Sequence, residues 1–407
     1  MITNDKYCFS IIKEVSKILP RWRNIGLDAY LLALYFVITP IHQALLTTHG
    51  GTVNKYLAFV VILAILVLQY NKKTNSFSWN KRMISLLSLL SFWYVCSLLW
   101  SYSRIHSILG IYSAISYFFF TITVCSRKWN NDEKELFMTT YIIACVYYSI
   151  MLFQMSSIAK RATFVLDDGR HSDQNLLSAN IALGCLFALY CLTTQSSKIM
   201  KYVFGIFIFT IVMGIISTGS RGGLIALFVG AIYVHMHQQK KKILLLTSAL
   251  VAIILMTYIK DYIFNNNTYL ISRFNTESLF NATSRTSIWA EYIKMLIYRP
   301  WGIFIGYGYG STAMAYSDFY GTNWPPATHN DYIAVICRSG IIGLIGLFHF
   351  CKYIWNRCIS LNDKLGCSCM ITMLVASMSV NMLGTYGWWN AMIFAYIGVG
   401  TIYNKTT

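Results

Sequence analysis

Three side chains in this 407-residue chain combine types that hold or move charge with spacings that place them at helix starts: Arg221, Arg285 and His329. Arg221 stands in the run Ser217, Thr218, Gly219, Ser220, Arg221, Gly222, Gly223, which joins two apolar segments with almost no loop. A helix start presents unpaired N–H groups, the guanidinium adds a planar fork of donors, and glycines let a bulky anion approach the backbone. That is a phosphate site in outline. The competing reading is an interface arginine that snorkels towards head groups beside a small-residue packing motif. Arg285 repeats the arrangement at the start of a second helix, where it is otherwise a solvated first-turn residue. Two such sites on one face could hold both phosphates of one diphosphate. At an effective dielectric of about 20, each contact near 4 Å contributes roughly 4 kcal/mol before desolvation is set against it. That is enough to anchor a diphosphate and stabilise it as a leaving group. His329, in Ala327, Thr328, His329, Asn330, Asp331, Tyr332, can take a proton from a hydroxyl near neutral pH, which typically contributes about 10²- to 10⁴-fold. A lone interface histidine is more often a satisfied polar residue, and the other seven read that way. His329 differs in sharing its loop and face with the arginines.

Other polar groups carry less. Asp167, Asp168 and Asp173 could bind a divalent cation, but with no partner histidine or third fixed carboxylate in view they read as loop charges. Arg338 falls inside an apolar run and must find a partner or a watery cleft. Tyr307, Tyr309, Tyr316, Tyr320 and Trp324 could stack on sugar rings, and interface anchoring accounts for them equally well.

The elements that must position these groups are membrane helices. The chain is 56% hydrophobic and 12% charged, with five prolines, far more apolar surface than a soluble fold can hide. Twelve apolar runs are marked, near residues 27–46, 56–70, 84–100, 108–125, 137–158, 176–194, 199–217, 222–236, 243–259, 332–350, 367–383 and 388–403. The second and eighth are short, so eleven or ten spans remain open. One membrane domain covering residues 1–407 is expected, all-α, with no soluble appendage.

The net charge of +18 follows the topology. With a cytoplasmic amino terminus, 21 of the 33 Lys and Arg fall on the inner side, beginning with Lys6, Lys13, Lys17, Arg21 and Arg23. That is the positive-inside pattern, and it leaves no basic surface interleaved with aromatics for nucleic acid. No small-residue cleavage site follows the basic leader, so the first span is expected to be the targeting signal. Most of the 11 cysteines lie in apolar runs or inner loops and read as small buried hydrophobes.

Two outer connections exceed the ordinary length. Residues 159–175 carry Lys160, Arg161, Asp167, Asp168, Arg170 and Asp173. Residues 260–331 form a large periplasmic loop, a size that is usually functional or disordered. Its composition favours structure: Ser284 can cap a helix from Arg285 towards Tyr298, with Ile288, Trp289, Tyr292, Ile293, Leu296 and Ile297 on one face. Arg299 and Pro300 stop that helix, and Gly302, Gly306, Gly308 and Gly310 follow. The expected picture is an amphipathic helix lying in the outer interface.

In these features the chain resembles the bacterial O-antigen ligases, in a superfamily that also contains O-antigen polymerases and protein-targeted oligosaccharyltransferases. The resemblance runs through the span count, the large loop between the ninth and tenth spans, and Ser220-Arg221-Gly222-Gly223 before it. It continues through Arg285 to Trp289, similar to an Arg-x-x-x-Trp element, the glycine turn from Trp301-Gly302 to Gly310, and His329-Asn330-Asp331-Tyr332. Gly340-Ile341-Ile342-Gly343-Leu344 looks like the family's run after the histidine. One departure stands out: the family often has an acidic residue before the last glycine, where this chain has Cys337-Arg338-Ser339.

The resemblance implies a glycosyltransferase C-type fold in the bacterial inner membrane, with both termini cytoplasmic and a periplasmic site. It implies transfer of an O-antigen glycan from undecaprenyl diphosphate to a sugar hydroxyl of a lipid A-core acceptor, by an inverting reaction that needs no metal, nucleotide or other cofactor. Arg221 and Arg285 would bind the diphosphate and His329 would deprotonate the acceptor. Two alternatives stay open: a polymerase that uses the same donor with a second lipid-linked chain, and a transporter of lipid-linked sugar. Transporters place ionisable groups near the midplane, often in paired halves, a pattern not apparent here.

Overall fold

A computed structural model describes residues 25–45, 50–71, 77–155, 173–236 and 284–402. Among the described residues the chain is helical, with one isolated bridge between Phe77 and Arg127. The helices are α1 Leu27–Leu45, α2 Gly50–Asn71, α3 Lys81–Cys96, α4 Arg104–Ser126, α5 Asn131–Met155, α6 Gln174–Thr194, α7 Lys198–Ser217 and α8 Arg221–Met236. After the undescribed stretch come α9 Ser284–Tyr298, α10 Trp301–Ile305, α11 Thr312–Tyr320, α12 Asp331–Ser360, α13 Lys364–Ala376 and α14 Tyr386–Ile397. Six helical stretches are long and apolar enough to cross a bilayer, and four shorter apolar helices accompany them. The protein is therefore an all-α, multi-pass membrane protein. Eleven of the twelve expected spans coincide with described helices; the run 243–259 lies outside the described residues, as do Asp167 and Asp168.

Composition explains the layering. Helix α6 is apolar around its whole circumference, and 89% of its most apolar window is buried, so it occupies the middle of the bundle. It packs on α5, α7, α8 and α13. Small residues let these backbones approach: a Cβ on Gly184 would lie 2.5 Å from Cys145 Sγ, and one on Gly214 would lie 2.5 Å from Ser149 Oγ. Helices α1, α3, α4, α7 and α12 instead turn large apolar side chains outward, including Leu34, Phe92, Leu109, Tyr202 and Phe348.

Over one end of this bundle lies a second, smaller core of Tyr292, Met295, Leu296, Tyr307, Ala315, Tyr316 and Cys337, contributed by α9, the turn after α10, α11 and the first part of α12. The described part of this loop, residues 284–331, is thus a packed layer. Its helix α9 is less simply amphipathic than its spacing suggests. Ile288, Tyr292 and Leu296 face this core, but Ile293 is 46% and Ile297 65% exposed. The Ser284 side chain, expected to cap the helix, lies outside the described residues.

Two expected spans differ from the structure where they meet this layer. Helix α12 runs to 30 residues but is broken at Gly340, with φ 67° and ψ −173°. A Cβ there would lie 2.0 Å from Phe304 O, because α10 packs directly on the break. Residues 341–360 suffice to cross the hydrocarbon, rising about 30 Å at about 1.5 Å per residue. Arg338 therefore stands in the segment before the break, two residues from Gly340, and not in mid-span. The expected eleventh span, 367–383, stops being helical at Ala376, and residues 377–385 form turns instead.

Candidate functional site

Helix α8 begins where α7 ends, and the junction is built by short-range bonds. Gly219, at φ 62°, reverses the chain and donates its N–H to Ile216 O at 2.8 Å. Ser220 then caps α8: its Oγ accepts from Gly223 N at 3.2 Å and donates to Asn175 Oδ1 at 3.0 Å. Asp173 caps α6 in the same way, accepting from Asn175 N at 2.8 Å and Leu176 N at 3.3 Å. Two helix starts are thereby tied side by side, with Arg221 on one and Asp173 on the other. The glycines after Arg221 have a different use from the one expected. A Cβ on Gly222 or Gly223 would lie 2.2 Å from Ser379 Oγ or Ser178 Oγ respectively, so these positions let α8 pack against its neighbours and do not open its backbone to an anion.

Arg285 stands half-buried in the first turn of α9. One turn later Trp289 Nε1 donates to Thr328 O at 2.9 Å, and Tyr292 OH donates to Pro326 O at 2.7 Å. The Arg-x-x-x-Trp spacing places both side chains on one helix face, so the tryptophan holds the strand leading to His329 while the arginine stands beside it. The loop tyrosines mostly brace this arrangement. Tyr307 OH donates to Met295 O at 3.0 Å, Tyr316 OH to Glu291 Oε2, and Tyr320 OH to Glu291 O at 2.8 Å. Tyr309 lines a cavity, whereas Trp324 is 88% exposed.

His329 has φ 46°, a left-handed backbone that persists in a non-glycine residue only when its surroundings hold it. Here the flanking residues are fixed on both sides by the turn that follows α13. Thr328 Oγ1 donates to Asn381 Oδ1 at 2.8 Å, and Asn330 N donates to the same oxygen at 3.1 Å. Asp331 N donates to Ser377 O at 2.8 Å, and Asp331 Oδ2 accepts from Met382 N at 2.7 Å and Leu383 N at 3.0 Å. Asn330 caps α12, accepting from Tyr332 N at 3.0 Å and Ile333 N at 3.2 Å.

The imidazole of His329 is drawn below its ordinary range, first by burial and then by the positive charge of Arg285, while the carboxylate of Asp173 pulls in the opposite direction. The ring is thus neutral at neutral pH and able to accept a proton. Asp173, at the start of α6, and Arg285, in the first turn of α9, both act electrostatically on His329, and the Ser220–Asn175 bond holds the helix start that carries Arg221 next to that of Asp173. Asp173, read from the sequence as a loop charge, is the residue whose place beside His329 the sequence did not reveal. The histidine absent from its neighbourhood in sequence is supplied by the fold.

Residues 206–348 match the family described as O-antigen ligase, a stretch of about a third of the chain that contains Arg221, Arg285 and His329. The match runs from within α7 to within α12 and so covers the α7–α8 junction and the outer layer, where the motifs of the resemblance lie. A comparison with curated proteins finds no match.

Proposed function

We propose that this protein is an O-antigen ligase, which moves an O-antigen glycan from undecaprenyl diphosphate to a sugar hydroxyl of lipid A-core at the periplasmic face of the inner membrane. The observation that carries the reading is that Asp173 and Arg285 both act electrostatically on His329, next to the helix start of Arg221, with Arg221, Arg285 and His329 all inside the family-matched stretch. Neutral His329 takes the proton of the acceptor hydroxyl as its oxygen attacks the anomeric carbon. A new glycosidic C–O bond forms, the anomeric C–O bond to phosphorus breaks, and its electron pair leaves with the diphosphate. Attack opposite the leaving group inverts the anomeric configuration. Asp173 stabilises the imidazolium formed on the way.

Arg221 and Arg285 neutralise the charge that accumulates on the departing diphosphate. A leaving group already neutralised by two guanidinium groups needs no metal, so transfer is expected to persist in excess chelator. Strict dependence on a divalent cation would bring Asp167 and Asp168 back as ligands.

The test is reconstitution of the purified protein with lipid-linked glycan and lipid A-core. Transfer without an energy source is expected, with loss of at least about 100-fold on His329→Ala, the lower range for a missing general base. Extension of a second lipid-linked chain in place of lipid A-core would make the protein a polymerase. Movement of donor across the bilayer without transfer would make it a transporter.

A further inference from the structure

Beside the strand that carries His329 lies a cavity of about 480 Å³, walled by Tyr117, Trp389, Tyr309, Arg338, Thr328 and Asn381 among others. Arg221, Arg285, Asp173 and His329 do not line it, although Thr328 precedes the histidine directly. Its volume is that of an ordinary small-molecule site, for which about 300–1,000 Å³ is usual.

The walls are held before any ligand arrives. The rings of Tyr117 and Trp389 lie parallel, with centroids 6.1 Å apart and planes 8° from each other. Trp389 Nε1 donates to Leu383 O at 3.0 Å and Tyr117 OH donates to Gly384 O at 3.1 Å, so both rings are tied to the turn that also clamps His329. Tyr309 is stacked on Tyr94 at 4.1 Å. Flat aromatic faces with a polar tip are the surfaces on which sugar rings rest.

Arg338 is the one charged side chain in this lining. It stands half-buried, two residues before the Gly340 break, and among the described residues no hydrogen bond or ion pair holds its guanidinium. The nearest carboxylate along its helix, Asp331, attracts it electrostatically but makes no ion pair with it, and its Oδ2 accepts from Met382 N and Leu383 N. A planar fork of five donors facing a cavity with aromatic walls calls for an anion.

We infer that this cavity is an acceptor subsite for an acidic saccharide, in which Arg338 pairs with a carboxylate or phosphate on the sugar while Tyr117, Trp389 and Tyr309 carry the ring faces. The inference rests on the ligase reading for its assignment to the acceptor. A donor diphosphate held by Arg221 and Arg285 leaves the Thr328 side of His329 for the group that gives up its proton.

The experiment titrates a digalacturonate, its carboxyl-reduced neutral counterpart and a hexose monophosphate against the detergent-solubilised full chain, with tryptophan fluorescence as the readout. Either acidic probe should bind at least tenfold tighter than the neutral one, and the better of the two identifies the anion. Arg338→Gln should erase the difference, and Arg338→Lys should restore part of it. Equal binding of acidic and neutral probes to the unaltered protein overturns the proposal without any variant, as does unchanged discrimination in Arg338→Gln. In transfer assays Arg338→Gln should raise KM for the acceptor at least tenfold and leave KM for the lipid-linked donor unchanged. Charge-selective binding that depends on Arg338 in a protein that transfers no glycan would sink the ligase reading and leave the saccharide site standing.

Discussion

At His329 two opposite charges act on one imidazole, and their removal should move the same titration in opposite directions. The reaction needs the neutral ring, so kcat/KM falls as pH drops through its pKa. Asp173 favours the protonated form; Asp173→Asn should therefore shift the acidic limb to lower pH and also lower kcat, because the imidazolium loses its partner. Arg285 disfavours that form, so Arg285→Ala should shift the limb to higher pH while weakening donor use. Two pH profiles that move together would separate Asp173 and Arg285 from the histidine. At Arg221 and Arg285 lysine should rescue only partly, since a point charge replaces a planar fork; wild-type donor KM in both alanine variants would place the anion site elsewhere. The types of these residues were readable from motif spacing. The role of Asp173 was not, because the helix start that carries it meets His329 only in three dimensions.

At the level of elements, a short strand is held from two sides. Trp289 and Tyr292 of α9 bind the carbonyls of Thr328 and Pro326, and Asn381 binds Thr328 and Asn330 from the turn after α13. Asn381→Ala removes one acceptor shared by two donors, at about 1–3 kcal/mol for buried groups left unpaired. The expected result is slower transfer by a folded, inserted protein, with faster backbone hydrogen exchange at residues 328–331; unchanged exchange there would remove the clamp from the account. Gly340 has no such tolerance. Its φ and ψ fall in a region essentially confined to glycine, costing another residue about 1–3 kcal/mol, and a Cβ would collide with Phe304 O. Gly340→Ala should therefore lower the thermal midpoint in detergent and detach α10 from α12. Periodicity located both apolar runs, but it did not register that 377–385 are turns or that α12 breaks. Residues 377–385 mix Met378, Val380, Met382 and Leu383 with Ser377, Ser379, Asn381 and Thr385, and the break at Gly340 is set by the packing of α10 on it.

Across the whole molecule the two ends of the bundle are chemically different. One end joins the start of α1, the end of α4 and the start of α5 through Arg127, which pairs with Asp28 at 2.8 Å and Glu133 at 2.7 Å under the ring of Trp129. All three ionic side chains are at most 5% exposed. Arg127→Ala would strand two buried carboxylates, a loss of about 3–5 kcal/mol, and should lower the thermal midpoint more than any single change at the opposite end. At that opposite end lie Asp173, Arg221, Arg285 and His329. With the amino terminus inside, a cysteine placed at exposed Trp324 in a cysteine-free background should react with an impermeant maleimide on intact spheroplasts, whereas one at Asn362 should react only after lysis. The reverse pattern would invert the topology. Composition alone determined that this is a helical membrane protein, because lipid leaves a chain few ways to satisfy its backbone, and the charge distribution set the orientation expected of its loops. Short motifs marked the residues proposed to bind a diphosphate and take a proton. Only tertiary packing decided that Gly222 and Gly223 serve helix contact, that Asp173 joins His329, and that Arg338 faces a cavity, since each depends on helices that are distant in sequence and adjacent only once the bundle has closed.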